Sequence, residues 1–352
     1  MKLPFGSQKD LVVGLDIGSH AVKVCQLKKT SNSYAIVTLG STVLPEGAVD
    51  DGTLNEPEIV SKAISDLFKN LKIKNRAVGF SISGYSVIVK KVNLAVMDDA
   101  QLESHITSEA EQYIPFDIDD VYLDFQDLKT NTKDNDRTDV MLVAAKKEIV
   151  NDYLEMLRSI NLNPVIVDVD GFALENSYQH NYRTQENVAL VDIGATKMNI
   201  NIISQGVSVV ARDIIVGSRQ LTEQIMNVFD IDFEEAEAIK LGFLPAEEKK
   251  HEVEEIFSAT CTQWVLEIKK AIDLYHSNHP DQPLNRLILS GGGAKVTGLI
   301  DFLAQETKVA VELFNPFLNM EFNRKKIDPD YLLSIGPEMA IATGIALRPS
   351  AI

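Results

Sequence analysis

The chain has 352 residues and carries 34 Lys plus Arg against 51 Asp plus Glu, a formal charge of −17. With 45% apolar and 24% charged residues it has the composition of a folded protein of roughly two domains rather than of a disordered one. So acidic a chain excludes nucleic-acid binding and direct insertion into an anionic membrane as leading roles, because both need a basic footprint. No apolar run approaches the roughly 18 residues of a spanning helix, so a cytoplasmic protein is expected. Cys25 and Cys261 are isolated and read as reduced, buried thiols; His276 and His279 have no third ligand at a metal-binding spacing.

In chain order, apolar and alternating stretches predict strands at about Leu11 to Asp16, Ala21 to Leu27 and Tyr34 to Leu44. A helix follows, with Pro57 in its first turn and Val60, Ile64, Leu67 and Phe68 on its apolar stripe. Ala77 to Ile82 and Val165 to Val169 read as buried strands, the second running into a helix through Ala173 and Leu174. Between them lie about 80 residues that a minimal α/β core does not need. They carry strand patterns at Tyr85 to Val92, Val121 to Leu128 and Val140 to Ala145, and helical ones near Leu102 to Tyr113 and Ile149 to Ile160. This predicts an inserted α+β subdomain. A strand triplet recurs from Val188 to Ile215. Helices then start at Gly217-Ser218 and Asp232, and a long one buries Phe257, Cys261, Trp264, Ile268, Ala271 and Tyr275. Leu287 to Ser290 is a buried strand entering Gly291-Gly292-Gly293 and a further helix.

The chemistry is suggested by a repeat. Asp16-Ile17-Gly18-Ser19 and Asp192-Ile193-Gly194-Ala195-Thr196 each join an apolar strand to an alternating one, and the two aspartates are 176 residues apart, half the chain. Glycine at such a turn lets backbone N–H groups approach an anion, a hydroxyl adds a donor, and an aspartate ending the strand can hold a water on a divalent cation. One such turn is an ordinary hairpin; two, from two lobes, could clamp a polyphosphate. Gly291, Gly292 and Gly293 suggest close approach of a ligand, and Glu237 and Lys240, three apart on one helix face, could both reach a nucleoside or simply pair.

In this order the motifs resemble the actin-like ATPase superfamily. Gly14 to Lys23 is similar to its first phosphate loop, Leu190 to Ile202 to its second, Leu289 to Leu299 to its adenosine loop and Pro337 to Leu347 to its closing helix. The resemblance implies ATP and Mg2+ between two lobes. Asp16, Gly18, Ser19, Lys23, Asp192, Gly194, Thr196 and Lys197 would serve phosphates and cation, with Asp16 and Asp192 holding Mg2+ through water. Glu237, Lys240, Gly291, Gly292, Gly293 and Lys295 would hold the nucleoside. Asp170 matches the position of actin's water-positioning glutamine, but a helix N-cap is the favoured role, so any turnover is expected to be slow. His20 stands where a small hydroxyl residue is more usual.

The expected fold is α/β, a two-lobed actin-like ATPase of duplicated ribonuclease-H-like domains. Residues 1–94 and 165–187 would form the first lobe, with 337–352 returning to it. Residues 95–164 would be the insert, 188–217 and 284–336 the second lobe core, and 218–283 its helical part. The surplus after Ala77 to Ile82, rather than before the first helix, resembles the cell-division protein FtsA and the PilM family of type IV pilus assembly proteins. Phe5-Gly6, Val22-Lys23-Val24, Val169 to Asn176 and Glu338 to Gly344 look like the PilM family. That likeness implies a scaffold at the cytoplasmic face of the inner membrane. It would bind the cytoplasmic N-terminal tail of a PilN-like membrane protein, contact other platform or motor proteins and self-associate. An FtsA-like filament protein and a small-molecule kinase are the alternatives. Ile106, Ala110, Tyr113, Ile114 and Phe116 either line the tail groove or are plain core. Between Val92 and Leu128 there are ten acidic residues and no Lys or Arg, a surface that could steer a basic tail.

Overall fold

The computed structural model describes residues 11–129, 136–182, 185–246 and 249–349. The Phe5-Gly6 opening and the last residues of the expected closing segment, 350–352, lie outside the described residues. The first half opens with β1 (Val13–Ile17), β2 (Ala21–Lys29), β3 (Tyr34–Val43), a short hairpin β4 (Val49–Asp50) and β5 (Thr53–Leu54), α1 (Pro57–Asn70) and β6 (Ala77–Ile82). There follow β7 (Val87–Ala95), α2 (Asp99–Tyr113), β8 (Val121–Asp127), β9 (Arg137–Lys146), α3 (Lys147–Ser159), β10 (Asn163–Val169) and α4 (Asp170–Tyr182). The second half begins with β11 (Val188–Ile193), β12 (Met198–Ser204), β13 (Val207–Ile214), α5 (Arg219–Phe229), α6 (Phe233–Lys240) and α7 (Lys250–Asn278). It ends with β14 (Arg286–Ser290), α8 (Leu299–Thr307), β15 (Ala310–Leu313), β16 (Met320–Glu321), α9 (Pro329–Ile335) and α10 (Ala340–Ala346).

Two sheets organise the halves, in the orders β10-β6-β1-β2-β3-β16 and β13-β12-β11-β14-β15. In each, an antiparallel triplet continues into parallel strands: β1 pairs antiparallel with β2 and parallel with β6, and β11 pairs antiparallel with β12 and parallel with β14. Every residue of β1 and of β12 is buried, as expected for central strands covered on both faces. Each sheet has its own core. Val13, Leu15, Val24, Val78 and Phe80 meet α1 and α3 in the first, and Val191, Ile200, Trp264, Ile268 and Leu289 meet in the second.

A third sheet, β7-β9-β8, is covered by α2 through Leu102 and Ile106 packed on Val92, Leu94, Val140 and Leu142. The insert is therefore these three strands and α2, between Val87 and Lys146. α3, expected inside it, buries Val150, Tyr153, Met156 and Leu157 in the first-lobe core instead. Its amphipathic pattern announces a buried face but not the partner of that face.

α10 seals the first sheet, packing on β1, β2, β6 and α4. The approach is close: a Cβ at Gly14 would overlap the Ala342 carbonyl oxygen, and one at Gly344 the carbonyl of Ala173. Cys25 and Cys261 are buried free thiols, as expected, with burial pushing both up to about 12.

Candidate functional site

The two Asp-x-Gly turns are the same hairpin built twice. Gly18 N–H donates to the Ala21 carbonyl at 3.1 Å, and Gly194 N–H to that of Lys197 at 2.8 Å. They meet across the lobes, where the Thr196 hydroxyl donates to Ser19 Oγ at 2.9 Å. Any anion held by both hydroxyls takes the place of that bond. Arg219 at the start of α5 reaches the Ser19 carbonyl at 3.4 Å and Glu46 at 3.4 Å, and the Gly84 N–H donates to Asp213 at 2.9 Å, so the lobes touch at several points around the turns.

Asp16 and Asp192 end β1 and β11 as expected, but their partners differ. Asp16 pairs with Lys23 at 3.1 Å across the β1–β2 ladder, whereas Asp192, among the described residues, accepts only the Ser290 hydroxyl, at 2.7 Å. Burial pushes Asp192 up to about 6, with the Ser290 bond opposing and the Asp16 charge reinforcing. Burial opposes the charge on Lys23 too, yet Asp16 and Asp192 more than offset it and hold this lysine above its ordinary value. A buried carboxylate just before a glycine turn that carries a hydroxyl fits a hydrated divalent cation, which would favour its charged form. Among the described residues no three His, Cys, Asp or Glu side chains converge as a direct metal cage.

Asp170 is not a helix cap. It is the first residue of α4, and its carboxylate accepts from Ser81 at 2.5 Å and from Ser83, and pairs with Lys197 at 3.4 Å. Burial pushes its pKa up, but Lys197 and the two hydroxyls outweigh burial and leave it below the usual carboxylate range. Lys197 also donates to Ser83, so a second-lobe turn is clasped to the end of β6 and the start of α4. Ser81, Ser83 and Asp213 were not among the expected site residues. The Ser81-Ile82-Ser83-Gly84 strand end is the signal that could have found two of them, being a hydroxyl-rich echo of the Asp-x-Gly turns.

α6 and the glycine turn lie side by side: the Thr297 N–H donates to the Lys240 carbonyl at 3.2 Å, and a Cβ on Gly242 would press on Thr297. Lys240 is buried, bonded to Glu237, to Thr222 at 2.9 Å and to the Ser218 carbonyl at 3.4 Å. Burial lowers its pKa against the pull of Glu237. The pairing expected for these two residues is present; Glu237 also acts on His20, opposing the burial that lowers its pKa, and the His20 ring lies 5.7 Å from that of Phe233. Of the three consecutive glycines, two are explained by packing. A Cβ on Gly291 or Gly293 would overlap Ile193, while Gly292 faces open space. Lys295 pairs with Glu338 at 2.7 Å, and the Gly291 N–H donates to the Pro337 carbonyl at 2.8 Å, tying this turn to the segment that returns to the first lobe.

The groove-lining expectation for the insert holds less well. Ile106, Ala110 and Ile114 are buried core, and only Tyr113 and Phe116 keep part of their surface. No helix among the described residues is long and apolar enough to cross a membrane.

Two sheets of like topology whose first hairpins face one another, with a helix-and-glycine pair beside them, define an actin-like ATPase fold. The ethanolamine utilization protein EutJ of Carboxydothermus hydrogenoformans has it too (TM-score 0.57, 15% identity, 98% of this chain and 91% of that one covered). So does MreB 5 of Spiroplasma citri, solved with AMPPNP (TM-score 0.54, 11% identity, 95% and 94% covered). The family model for the type IV pilus assembly protein PilM matches residues 14–350, and the chain belongs to that family. A chain of a solved PilM-PilN type IV pilus biogenesis complex is similar to it at 27% identity and a TM-score of 0.86, with 98% of this chain and 100% of that one covered.

Proposed function

We propose that this protein is an ATP-binding scaffold of the type IV pilus platform. It works at the cytoplasmic face of the inner membrane, where it captures the cytoplasmic N-terminal tail of a PilN-like membrane protein and joins further platform proteins and copies of itself. The observation that carries the nucleotide part is the convergence of Ser19, Thr196, Lys23 and Lys197 at the meeting of two identical turns. In this role Gly18 and Gly194 supply backbone amides, Asp16 and Asp192 hold Mg2+ through water, and Glu237, Lys240, Gly292 and Lys295 hold the nucleoside. Family membership and the similar PilM-PilN complex support the tail partner. Lobe closure, biased by nucleotide, would then alter the surface offered to partners more than it drives turnover.

Thermal unfolding with millimolar ATP and Mg2+ tests the first part. Ligand at 100 times its dissociation constant stabilises a fold by about 2.7 kcal/mol, so the melting temperature should rise by several degrees. An unchanged melting temperature counts against nucleotide binding. For the partner, a fluorescent peptide of the PilN-like cytoplasmic N-terminus should show saturable anisotropy with the full chain, and a scrambled peptide should not.

A further inference from the structure

The basic residues of this acidic chain are not spread evenly. Between Asp66 and Asp98 there are six Lys or Arg and no Asp or Glu, and Lys69, Lys72, Lys74 and Arg76 fall together where α1 gives way to β6. The fold gathers them with others. β6 and β10 run parallel to β1, so the turns that enter them, after α1 and after α3, lie at the end of the first sheet away from the Asp-x-Gly turn. β2 runs antiparallel to β1 with Gln26 opposite Val13, which carries Lys28 and Lys29 to the same end. Two bonds tie that end together: the Asn75 amide donates to the Leu11 carbonyl at 3.1 Å, and the Asn163 N–H to the Arg76 carbonyl at 2.7 Å.

The same helix-to-strand turn is built twice here. Lys72 and Asn161 follow α1 and α3 in the left-handed conformation, at φ 56° and 58°, and the Ile73 and Leu162 N–H groups reach back to the Phe68 and Leu157 carbonyls. Ile73 and Leu162 are buried and leave the polar residues of both turns outside. Lys28, Lys29, Lys69, Lys72, Lys74 and Arg76 are all exposed, and none forms an ion pair among the described residues. The acids nearest to the turns in sequence, Asp66 and Glu155, stand further back on the two helices. A cation in the last turn of a helix meets its dipole, which accounts for Lys69 and for Arg158 of α3. It does not account for Lys74, Arg76 or the pair on β2.

We propose that this end of the first lobe docks, without insertion, on the anionic lipid head groups of the membrane at which the protein works. Charge complementarity calls for an anionic occupant, and shape chooses among anions. The basic groups stand at the end of a sheet, on turns of the neighbouring strands β10, β6, β1 and β2, a width of about 14 Å at the usual strand spacing. Neither turn carries an aromatic side chain on which a nucleic-acid base could stack. A lipid surface needs no stacking, and each Lys or Arg held near it adds about fivefold to binding. The acids of the insert lie beyond the other end of β6, about 20 Å away, which is two Debye lengths at about 0.1 M salt, so they weaken this attraction little. The contact rests on the proposed place of the protein at the membrane and goes beyond it, because it is a tether that needs neither the tail nor nucleotide.

Flotation of the full chain with vesicles, without tail peptide or nucleotide, tests it. Vesicles of phosphatidylcholine with about 30 mol% phosphatidylglycerol should carry the protein at about 50 mM salt and release it at about 500 mM, and pure phosphatidylcholine should not carry it. Lys74→Glu with Arg76→Glu should weaken binding by about tenfold or more, whereas Lys250→Glu with Lys270→Glu on α7, the same change of net charge, should leave it within about twofold. Absence of flotation, equal flotation with the neutral lipid, a first-lobe variant that floats normally, or an equal loss in the α7 variant overturns the proposal. So does saturable binding of a single-stranded oligonucleotide in place of vesicles, which gives this face to nucleic acid. Unchanged melting temperatures show that the variants are folded, and retained anisotropy with the PilN-like peptide separates failure of this contact from failure to capture the tail.

Discussion

Lys197 shows how much one side chain can hold in this fold. Among the described residues it is the only cation within ion-pair distance of Asp170, which is buried among Ser81, Ser83 and the start of α4. Removing the ammonium leaves a buried carboxylate uncompensated, which typically costs about 3–5 kcal/mol, so Lys197→Met should lower stability by that order in urea unfolding. Adding Asp170→Asn to it should recover part of the loss, and a non-additive double-mutant cycle checks the coupling. Asp192 makes the opposite case, an acid that burial holds high against the Ser290 bond and the charge of Lys23. Its folded value of about 6 lies above its ordinary value of 3.8. The folded chain therefore keeps a proton that the unfolded chain releases. The corresponding stability is present in full below about pH 4 and lost as pH rises through about 6. Because Asp192 is not wholly shielded from solvent, a discounted contribution of about 1–2 kcal/mol is expected. Asp192→Asn should accordingly be more stable than the parent at pH 8 by that amount and no different at pH 4, by denaturant unfolding at both values. Ionised Asp192 is also the form a cation needs, so the ATP and Mg2+ melting shift should shrink below pH 6.

Among elements, the glycines sort into those that packing demands and the one that packing leaves free. Gly344→Ala and Gly14→Ala force a methyl into the backbone of α4 or α10, and each should destabilise by about 3 kcal/mol or more. Gly292→Ala meets nothing within 4 Å and should leave the melting temperature nearly unchanged while weakening the ATP-induced shift. These distinctions were not legible in the sequence. Three consecutive glycines look alike there, and only the neighbour, Ile193, tells two of them apart from the third. Other elements were clear: Ala77 to Ile82 is a strand of those very residues, because a short apolar run between polar turns leaves little choice. β16 is two residues long and carries no period to read. Asp170 departs from the expected cap for a related reason. A strand-to-helix aspartate is locally a cap, and the competing hydroxyls of Ser81 and Ser83 lie almost 90 positions away in the chain. The paired turns were legible because the chemistry is local and occurs twice.

For the whole molecule, the uneven charge matters more than its total. With ten uncompensated acids in one stretch of the insert, a basic tail approaching from a membrane partner is drawn by a field that salt screens. Its association rate should fall about tenfold between about 50 and 500 mM salt while its dissociation rate changes little, as stopped-flow anisotropy would show. The closing helix has a consequence of another kind. β1 lies near the start of the described chain and α10 near its end, yet Gly14 and Ala342 are in contact, and β16 pairs with β3. On the ribosome, then, the first lobe is made early and completed last. Its central strands emerge without the helix that covers them and must wait, exposed, for more than 300 residues to be synthesised. The second lobe, whose sheet and helices all lie between Val188 and Leu313, has no such debt and can fold while the first is still waiting.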